Sequence, residues 1–233
     1  MVFPLEDSVT DALKGEDTHP RIAEAGGEQG GAGVRARVNV PLRLKNDSGE
    51  TAKIVSFRGL SDGLEHVAIE FGAVADIPLV RLHSECLTGD VLGSTRCDCG
   101  PQLQESLELL SVSGGILLYL RQEGRGIGLY NKLDAYWLQQ HRGLDTFAAN
   151  RKLNFSDDLR DYRPAAQMLQ ALGVPRVRLL SNNPDKSEQL RRYGIDVVDV
   201  VPTGVFPNER NIRYLRAKVE QHGHSIEITQ EFA

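Results

Sequence analysis

All three cysteines of the chain fall within one short stretch, Cys86, Cys97 and Cys99, with the spacing C-x10-C-x-C. Three thiolates from one loop suit zinc, a borderline-soft ion. Structural zinc sites close with four protein ligands. Three ligands leave a position for water, the pattern of a catalytic ion, and the pKa of that water falls to about 7. Buried cysteines without a metal are the competing interpretation. The clustering of every cysteine in a glycine-containing loop favours the metal. A fourth ligand such as His83 would make the site structural instead.

Cationic residues gather around this loop. Arg81, Arg96, Arg121, Arg125 and Lys132 flank it and the strand that follows. The run Arg121-Gln122-Glu123-Gly124-Arg125-Gly126-Ile127-Gly128-Leu129 reads as a strand-to-helix turn. Its glycines let backbone amides approach an anion, and a helix start adds positive potential. The arginine fork matches phosphate oxygens. A second turn, Ser181-Asn182-Asn183-Pro184-Asp185-Lys186, repeats the arrangement with a lysine. Together they point to a polyphosphate ligand, although neither run is the dinucleotide fingerprint or a P-loop. Glu123 is a carboxylate in basic surroundings. It can accept two hydrogen bonds from an amino-amidine edge such as guanine presents, or it can pair with Arg121 or Arg125; the local residues weigh these equally.

The elements that must hold these groups are legible in outline. Alternating patterns at 36–40, 52–57 and 66–71 predict half-buried strands separated by turn residues, and short spacings favour antiparallel neighbours. A further strand at 78–82 leads into a polar stretch at 83–100. A helix is predicted from Pro101, with Leu103, Leu107 and Leu110 as its apolar stripe. Gly114-Gly115 breaks it before a buried strand at 116–120. A helix over 127–140 is expected to bury Tyr130, Leu133 and Trp137, the last as core packing. Beyond it come a helix at 164–172 capped by Gly173, a strand at 177–180, a helix from Pro184 to Gly194, and a strand at 195–200. That strand–helix–strand unit implies a parallel pair. A last helix is expected over 208–221. The predicted fold is therefore mixed α/β, or α+β: antiparallel strands at the front, the zinc loop, and a strand–helix–strand rear.

Residues 24–33 hold five glycines and little to bury, so 1–35 is expected to be a disordered tail. The folded domain is expected over 36–221, with a C-terminal tail at 222–233. Composition excludes several classes. At 233 residues, 40% hydrophobic and 25% charged, the chain is that of an ordinary globular protein. No stretch approaches the ~18 apolar residues of a spanning helix, so no membrane partner is expected. The start MVFPLEDSVT lacks the features of a secretory signal, and an odd cysteine count argues for a reduced compartment, so the expected location is cytoplasmic. Twenty-seven basic residues against 32 acidic ones give a net charge of −5, which argues against nucleic acid as partner and makes anion recognition local.

At 80–200 the sequence resembles GTP cyclohydrolase II, the first committed enzyme of riboflavin synthesis. The landmarks are Arg81-Leu82-His83-Ser84-Glu85-Cys86-Leu87-Thr88-Gly89-Asp90, Arg96-Cys97-Asp98-Cys99-Gly100, the 121–129 run, and Ser181-Asn182-Asn183-Pro184. The resemblance implies a catalytic zinc on Cys86, Cys97 and Cys99. It implies a GTP site lined by Arg81, Leu82, His83, Ser84, Glu85 and Gln102. Glu123 would read the guanine edge with Gly124 and Arg125 beside it, and Thr146, Ser181 and Lys186 would meet ribose or phosphates. Ser181 stands where the family usually has threonine, and the hydroxyl survives. Asp158 and Arg160 match the family's proton acceptor and its proposed nucleophile, and Tyr136 an active-site tyrosine. A homodimer is implied, as is Mg²⁺ with the triphosphate. With no room upstream for the dihydroxybutanone-phosphate synthase domain that many relatives carry, a monofunctional enzyme is expected.

The implied reaction is hydrolysis of GTP with opening of the imidazole ring at C8. It releases formate and pyrophosphate and leaves 2,5-diamino-6-(5-phosphoribosylamino)pyrimidin-4(3H)-one. Tyr136 can protonate a ring nitrogen as general acid. Arg160 is either a covalent nucleophile or an electrostatic clamp on the α-phosphate; guanidinium, protonated up to a pKa above ~12, is a poor nucleophile. The alternatives are a relative that retains the formyl group, a cyclohydrolase-like protein with an unphosphorylated substrate, and a noncatalytic nucleotide-binding module with a structural zinc.

Overall fold

A computed structural model of the chain describes residues 31–44, 49–156, 158–212 and 215. The expected N-terminal tail up to residue 30, most of the last predicted helix, and the C-terminal tail lie outside the described residues. Strand β1 (Gly33–Arg43) begins three residues ahead of the expected domain start, and β2 (Gly49–Arg58) and β3 (Val67–Phe71) follow it. Then come β4 (Leu79–Ser84), a one-turn helix α1 (Leu87–Asp90), α2 (Cys99–Ser113) and β5 (Gly115–Leu120). A 3-10 turn (Glu123–Gly126) leads to α3 (Leu129–Arg142), α4 (Thr146–Lys152) and α5 (Arg163–Ala171). The rear is β6 (Arg176–Leu180), α6 (Pro184–Arg192) and β7 (Asp196–Val201).

All seven strands form one sheet in the order β1-β2-β3-β5-β4-β6-β7. From β1 to β5 the pairs are antiparallel, and from β5 to β7 they are parallel. The expected antiparallel front and parallel rear are both present, joined in a single mixed sheet. Because β4, β5 and β6 run parallel, the loops after them leave at the same edge. Those are the cysteine loop, the glycine-rich turn and the serine–asparagine turn, brought side by side from far apart in sequence.

The sheet is buried on both faces, as a near-continuous apolar strand such as Ile116-Leu117-Leu118-Tyr119-Leu120 requires. Ile116, Leu118 and Leu120 join Met168 and Leu169 of α5 and Leu190 of α6 on one side. Leu117 joins Leu110 of α2 on the other, with Leu103 and Leu107 packed against it. The predicted stripe of α2 is therefore the one it uses. The helix starts at Cys99, two residues before Pro101, so the proline sits within the first turn, where its missing N–H costs nothing. The polar stretch before it contains α1, too short to leave a periodic signal.

The face of α3 differs from expectation. Tyr130, Leu133 and Trp137 are exposed at 81%, 44% and 52%, while Lys132 and Ala135 are buried. The helix turns its polar stripe inward because that stripe lines a cavity. Trp137 stacks on His141 at 4.5 Å instead of entering the core.

Gly115 makes the α2–β5 junction possible. Its φ is +146°, and a Cβ there would lie 2.4 Å from the Leu79 carbonyl oxygen and 2.6 Å from Leu110 Cδ2. Gly115→Ala is expected to lower unfolding free energy by more than ~1 kcal/mol, read as a lower midpoint in chemical denaturation.

Candidate active site

The cysteine cluster is built by a close approach of backbones. A Cβ on Gly100 would stand 2.3 Å from the Gly89 carbonyl oxygen, so α1 and the start of α2 touch main chain to main chain. A Cβ on Gly89 would lie 2.8 Å from Cys97 Sγ and 3.2 Å from Cys86 Sγ, inside the space the sulfurs share. The three sulfurs all lie within 4.8 Å of one another, with Cys86 and Cys97 Sγ 3.7 Å apart. Two thiolates on a tetrahedral zinc at about 2.3 Å stand roughly 3.8 Å apart, so the trio fits such an ion. Hydrogen bonds from the Cys97 and Cys99 thiols, then the Lys132 ammonium, hold Cys86 well below the usual thiol range. The burden falls on its neighbours: Cys97 is pushed up to about 11, and Cys99 well above its ordinary value. A divalent ion in place of the shared protons relieves that competition.

Among the described residues no fourth donor joins the group. His83 is committed elsewhere: Nε2 lies 3.0 and 3.1 Å from the Asp90 carboxylate, and the ring stacks on Tyr119. Burial pushes its pKa down, against the pull of Asp90. Asp90 also accepts from the Cys86 backbone N–H at 3.0 Å and the Tyr119 hydroxyl at 2.9 Å, so it orients the cysteine loop.

Beside the sulfurs opens a cavity of about 660 Å³, ample for a nucleotide. Of the residues expected at the site, Ser84, Glu85, Cys86, Cys97, Cys99, Glu123, Gly124, Arg125, Tyr136, Thr146 and Arg160 line it. Gly124 and Arg125 both hold left-handed φ, at 62° and 61°, the second unusual for a residue with a side chain. Arg125 lies over the Phe147 ring at 4.5 Å. Glu123 is paired neither with Arg121, whose partner is Glu85 at 2.9 Å, nor with Arg125. Its carboxylate accepts from Lys132 Nζ at 2.7 Å, Leu87 N at 2.7 Å and Gly124 N at 2.9 Å. Lys132 Nζ also reaches Thr88 Oγ1 at 3.0 Å and Cys86 Sγ at 3.2 Å, bridging the carboxylate to the cysteine cluster.

Tyr136 lies beneath the Arg96 guanidinium, 4.4 Å from its ring, and burial pushes its phenol up to about 12. Arg160 grips Asp158 through Nε, at 2.9 and 3.2 Å, and through Nη2. Burial raises the Asp158 carboxyl, but the hydrogen bonds and charge of Arg160 outweigh it and hold it below its ordinary value.

The remaining expected residues stand behind the cavity wall. Arg81 donates to the Leu180 carbonyl at 3.1 Å and to Gln102 at 3.2 Å; its Nε is buried with no hydrogen-bond partner. Leu82 is core, Ser181 caps its own turn through Asn183 N at 3.0 Å, and Lys186 donates to the Leu82 carbonyl at 2.7 Å. Further lining residues went unassigned in the sequence, among them the polar Gln139, Asn150 and Arg210. Gln139 accepts from Arg96 at 2.8 Å, and its Nε2 is buried without a partner. Its spacing from Lys132 and Tyr136 was the available signal, seven and three residues along one helix face.

A family model described as GTP cyclohydrolase II matches residues 36–202. A GTP cyclohydrolase-2 of Vibrio parahaemolyticus is 54% identical over 200 residues, 84% of this chain and all of that one. The protein of the same name in Vibrio cholerae is 53% identical over an equal span. A riboflavin biosynthesis protein RibBA of Thermotoga maritima is 54% identical over 175 residues, 75% of this chain and 45% of its own.

Gly100→Ala is expected to part the two backbones and with them the sulfurs. Zinc titration of the reduced variant, followed by elemental analysis, should show much weaker uptake than the parent; equal uptake would remove this contact as the cause of the cluster.

Proposed function

The chain belongs to the GTP cyclohydrolase II family, and on that footing we propose that it is a zinc-dependent hydrolase of GTP. It opens the imidazole ring at C8 and releases formate and pyrophosphate as the first step of riboflavin biosynthesis. The observation that carries the zinc reading is the convergence of three sulfurs, with no fourth protein donor among the described residues, on the wall of a nucleotide-sized cavity. When bound, zinc would supply Lewis acidity and a water whose pKa falls to about 7.

This chain's own groups do the rest. An ionised carboxylate has about four acceptor positions, and three of Glu123's are filled by Lys132, Leu87 and Gly124. One remains for a donor of the guanine edge, and the filled ones fix its direction. Tyr136 carries its phenolic proton at neutral pH, as tyrosines ordinarily do and burial reinforces, so it can donate to the ring nitrogen as C–N cleavage develops. Arg160 stays protonated, held in a planar fork by Asp158, and we read it as the electrostatic clamp on the α-phosphate. Arg125 and Thr146 line the same cavity and serve ribose and phosphate. Arg81 keeps an unused buried donor, which supports an indirect part in the same site, with Gln102 as its partner. Mg²⁺ on the triphosphate and a homodimeric, cytoplasmic enzyme belong to this reading. No described helix is long and apolar enough to cross a membrane.

Incubation of the purified protein with GTP and Mg²⁺ should yield formate, pyrophosphate and the diaminopyrimidine. Intact GTP would sink the reading, and a product heavier by one CO unit would select the formyl-retaining alternative. Cys97→Ser should abolish zinc content and C8 hydrolysis together. Arg160→Lys keeps a point charge but loses the fork, so it should retain measurable turnover, down about 10²-fold or more. Complete loss of pyrophosphate release with unchanged GTP binding would instead favour the covalent role.

A further inference from the structure

Five cations line the cavity: Arg96, Arg125, Lys132, Arg160 and Arg210. Four are already engaged. Lys132 is paired with Glu123 and Arg160 with Asp158, Arg96 holds Gln139 and covers Tyr136, and Arg125 covers Phe147. Among the described residues, the Arg210 guanidinium has no hydrogen-bond or carboxylate partner. It is also the outermost of the five, exposed where Lys132 is buried and the others are half-buried.

The backbone that presents Arg210 is firmly attached. Thr203 exchanges hydrogen bonds with Asn182, through Asn182 Nδ2 to its carbonyl at 2.7 Å and from its N–H to Asn182 Oδ1 at 3.0 Å. Its hydroxyl donates to Glu105 of α2 at 2.7 Å, and Gly204 N donates to both oxygens of that carboxylate at 3.0 Å. Gln102 of α2 adds a bond to the Gly204 carbonyl at 3.2 Å. Further on, Asn211 is fully buried and ties Asn208 N at 2.7 Å and the Phe206 carbonyl at 2.9 Å. Leu215 is buried too. The segment is thus sewn to the helix that begins with Cys99 and to the turn that carries Ser181. The hydroxyl and ammonium of that turn face inward; the cation reaching the cavity beside it is Arg210.

We propose that Arg210 binds the outer phosphates of the nucleoside triphosphate and so sets the preference for a triphosphate over a monophosphate. The proposal rests on the GTP reading above and deepens it. A guanidinium at the rim, unpaired and held by a fixed backbone, meets the solvent-facing end of a ligand whose base and α-phosphate occupy the engaged residues further in.

The test is calorimetric titration of the zinc-loaded protein, with Mg²⁺, against two probes. One is GMP, and the other is a guanosine triphosphate analogue with a methylene bridge between the α and β phosphorus atoms. Arg210→Ala should weaken the triphosphate analogue about tenfold, the loss of one charged hydrogen bond, and GMP by less than about twofold. Arg210→Lys should recover part of the loss, and the exposed position should leave the melting temperature unchanged. Equal weakening of both probes, or an unweakened triphosphate, would overturn the role given to Arg210. Unaltered protein that binds neither probe would overturn the GTP reading itself, a result independent of residue 210.

Discussion

The site depends on one steric fact: two glycines, Gly89 and Gly100, let the main chain of α1 rest against the first turn of α2. Cysteine spacing supplies donors, but spacing alone leaves them spread along a loop. The backbone contact folds that loop back, so Cys86 from one side and Cys97 and Cys99 from the other face a common point. Any side chain at residue 89 would fill that point itself. The energetic consequence is visible in the thiols. Three of them packed this closely cannot all ionise, and the Lys132 ammonium, 3.2 Å from Cys86 Sγ, favours the thiolate at that position. A cation at the centre is the species that such a donor set accommodates best.

The sheet then decides what the sulfurs look at. The change from antiparallel to parallel pairing falls at β5, flanked by β3 and β4. From there the cysteine loop, the glycine-rich turn and the serine–asparagine turn all leave one edge. This is how a protein with a net charge of −5 concentrates five cations around a single cavity. Two of them are neutralised by carboxylates placed to fix their direction. Pairing costs attraction for an anion but removes rotamer entropy from long side chains, so that a ligand meets preset forks. Lys132 goes further, joining Glu123 to Cys86 through one buried ammonium, so that the carboxylate and the sulfur cluster share a single contact.

Local chemistry was legible in the sequence, and tertiary direction was not. The cysteine cluster, the glycine-rich and serine–asparagine turns and the parallel rear pair follow from spacing and turn residues, which act over a few positions. The stripe of α2 follows from ordinary periodicity, since Leu103, Leu107 and Leu110 do pack on the sheet. The one-turn α1 left no period to read. Lys186 and Ser181 look like ligand groups in the sequence, yet their side chains bond inward, because buried backbone carbonyls and amides compete for the same donors and acceptors. Arg210 carried no motif at all. Hydrogen bonds that Thr203 and Gly204 make to Asn182 and Glu105, residues distant in sequence, help put it at the cavity.

Helix α3 shows why apolar periodicity misleads at such a place. Tyr130, Leu133 and Trp137 form the stripe that ordinarily turns inward, and burying them would be worth roughly 1.5–3 kcal/mol each. The helix instead buries Lys132 and Ala135 and lines the cavity with Tyr136 and Gln139. The polar face wins because its charged group is satisfied there, Lys132 by Glu123, Thr88 and Cys86, while Gln139 Oε1 accepts from Arg96. Turned the other way, these groups would leave Glu123 a buried carboxylate without its cation, a loss of about 3–5 kcal/mol on its own. It would also leave Arg96 with neither Gln139 nor the Tyr136 ring. The helix therefore holds an orientation that hydrophobic burial alone would reject, and the local rule fails where the chemistry is.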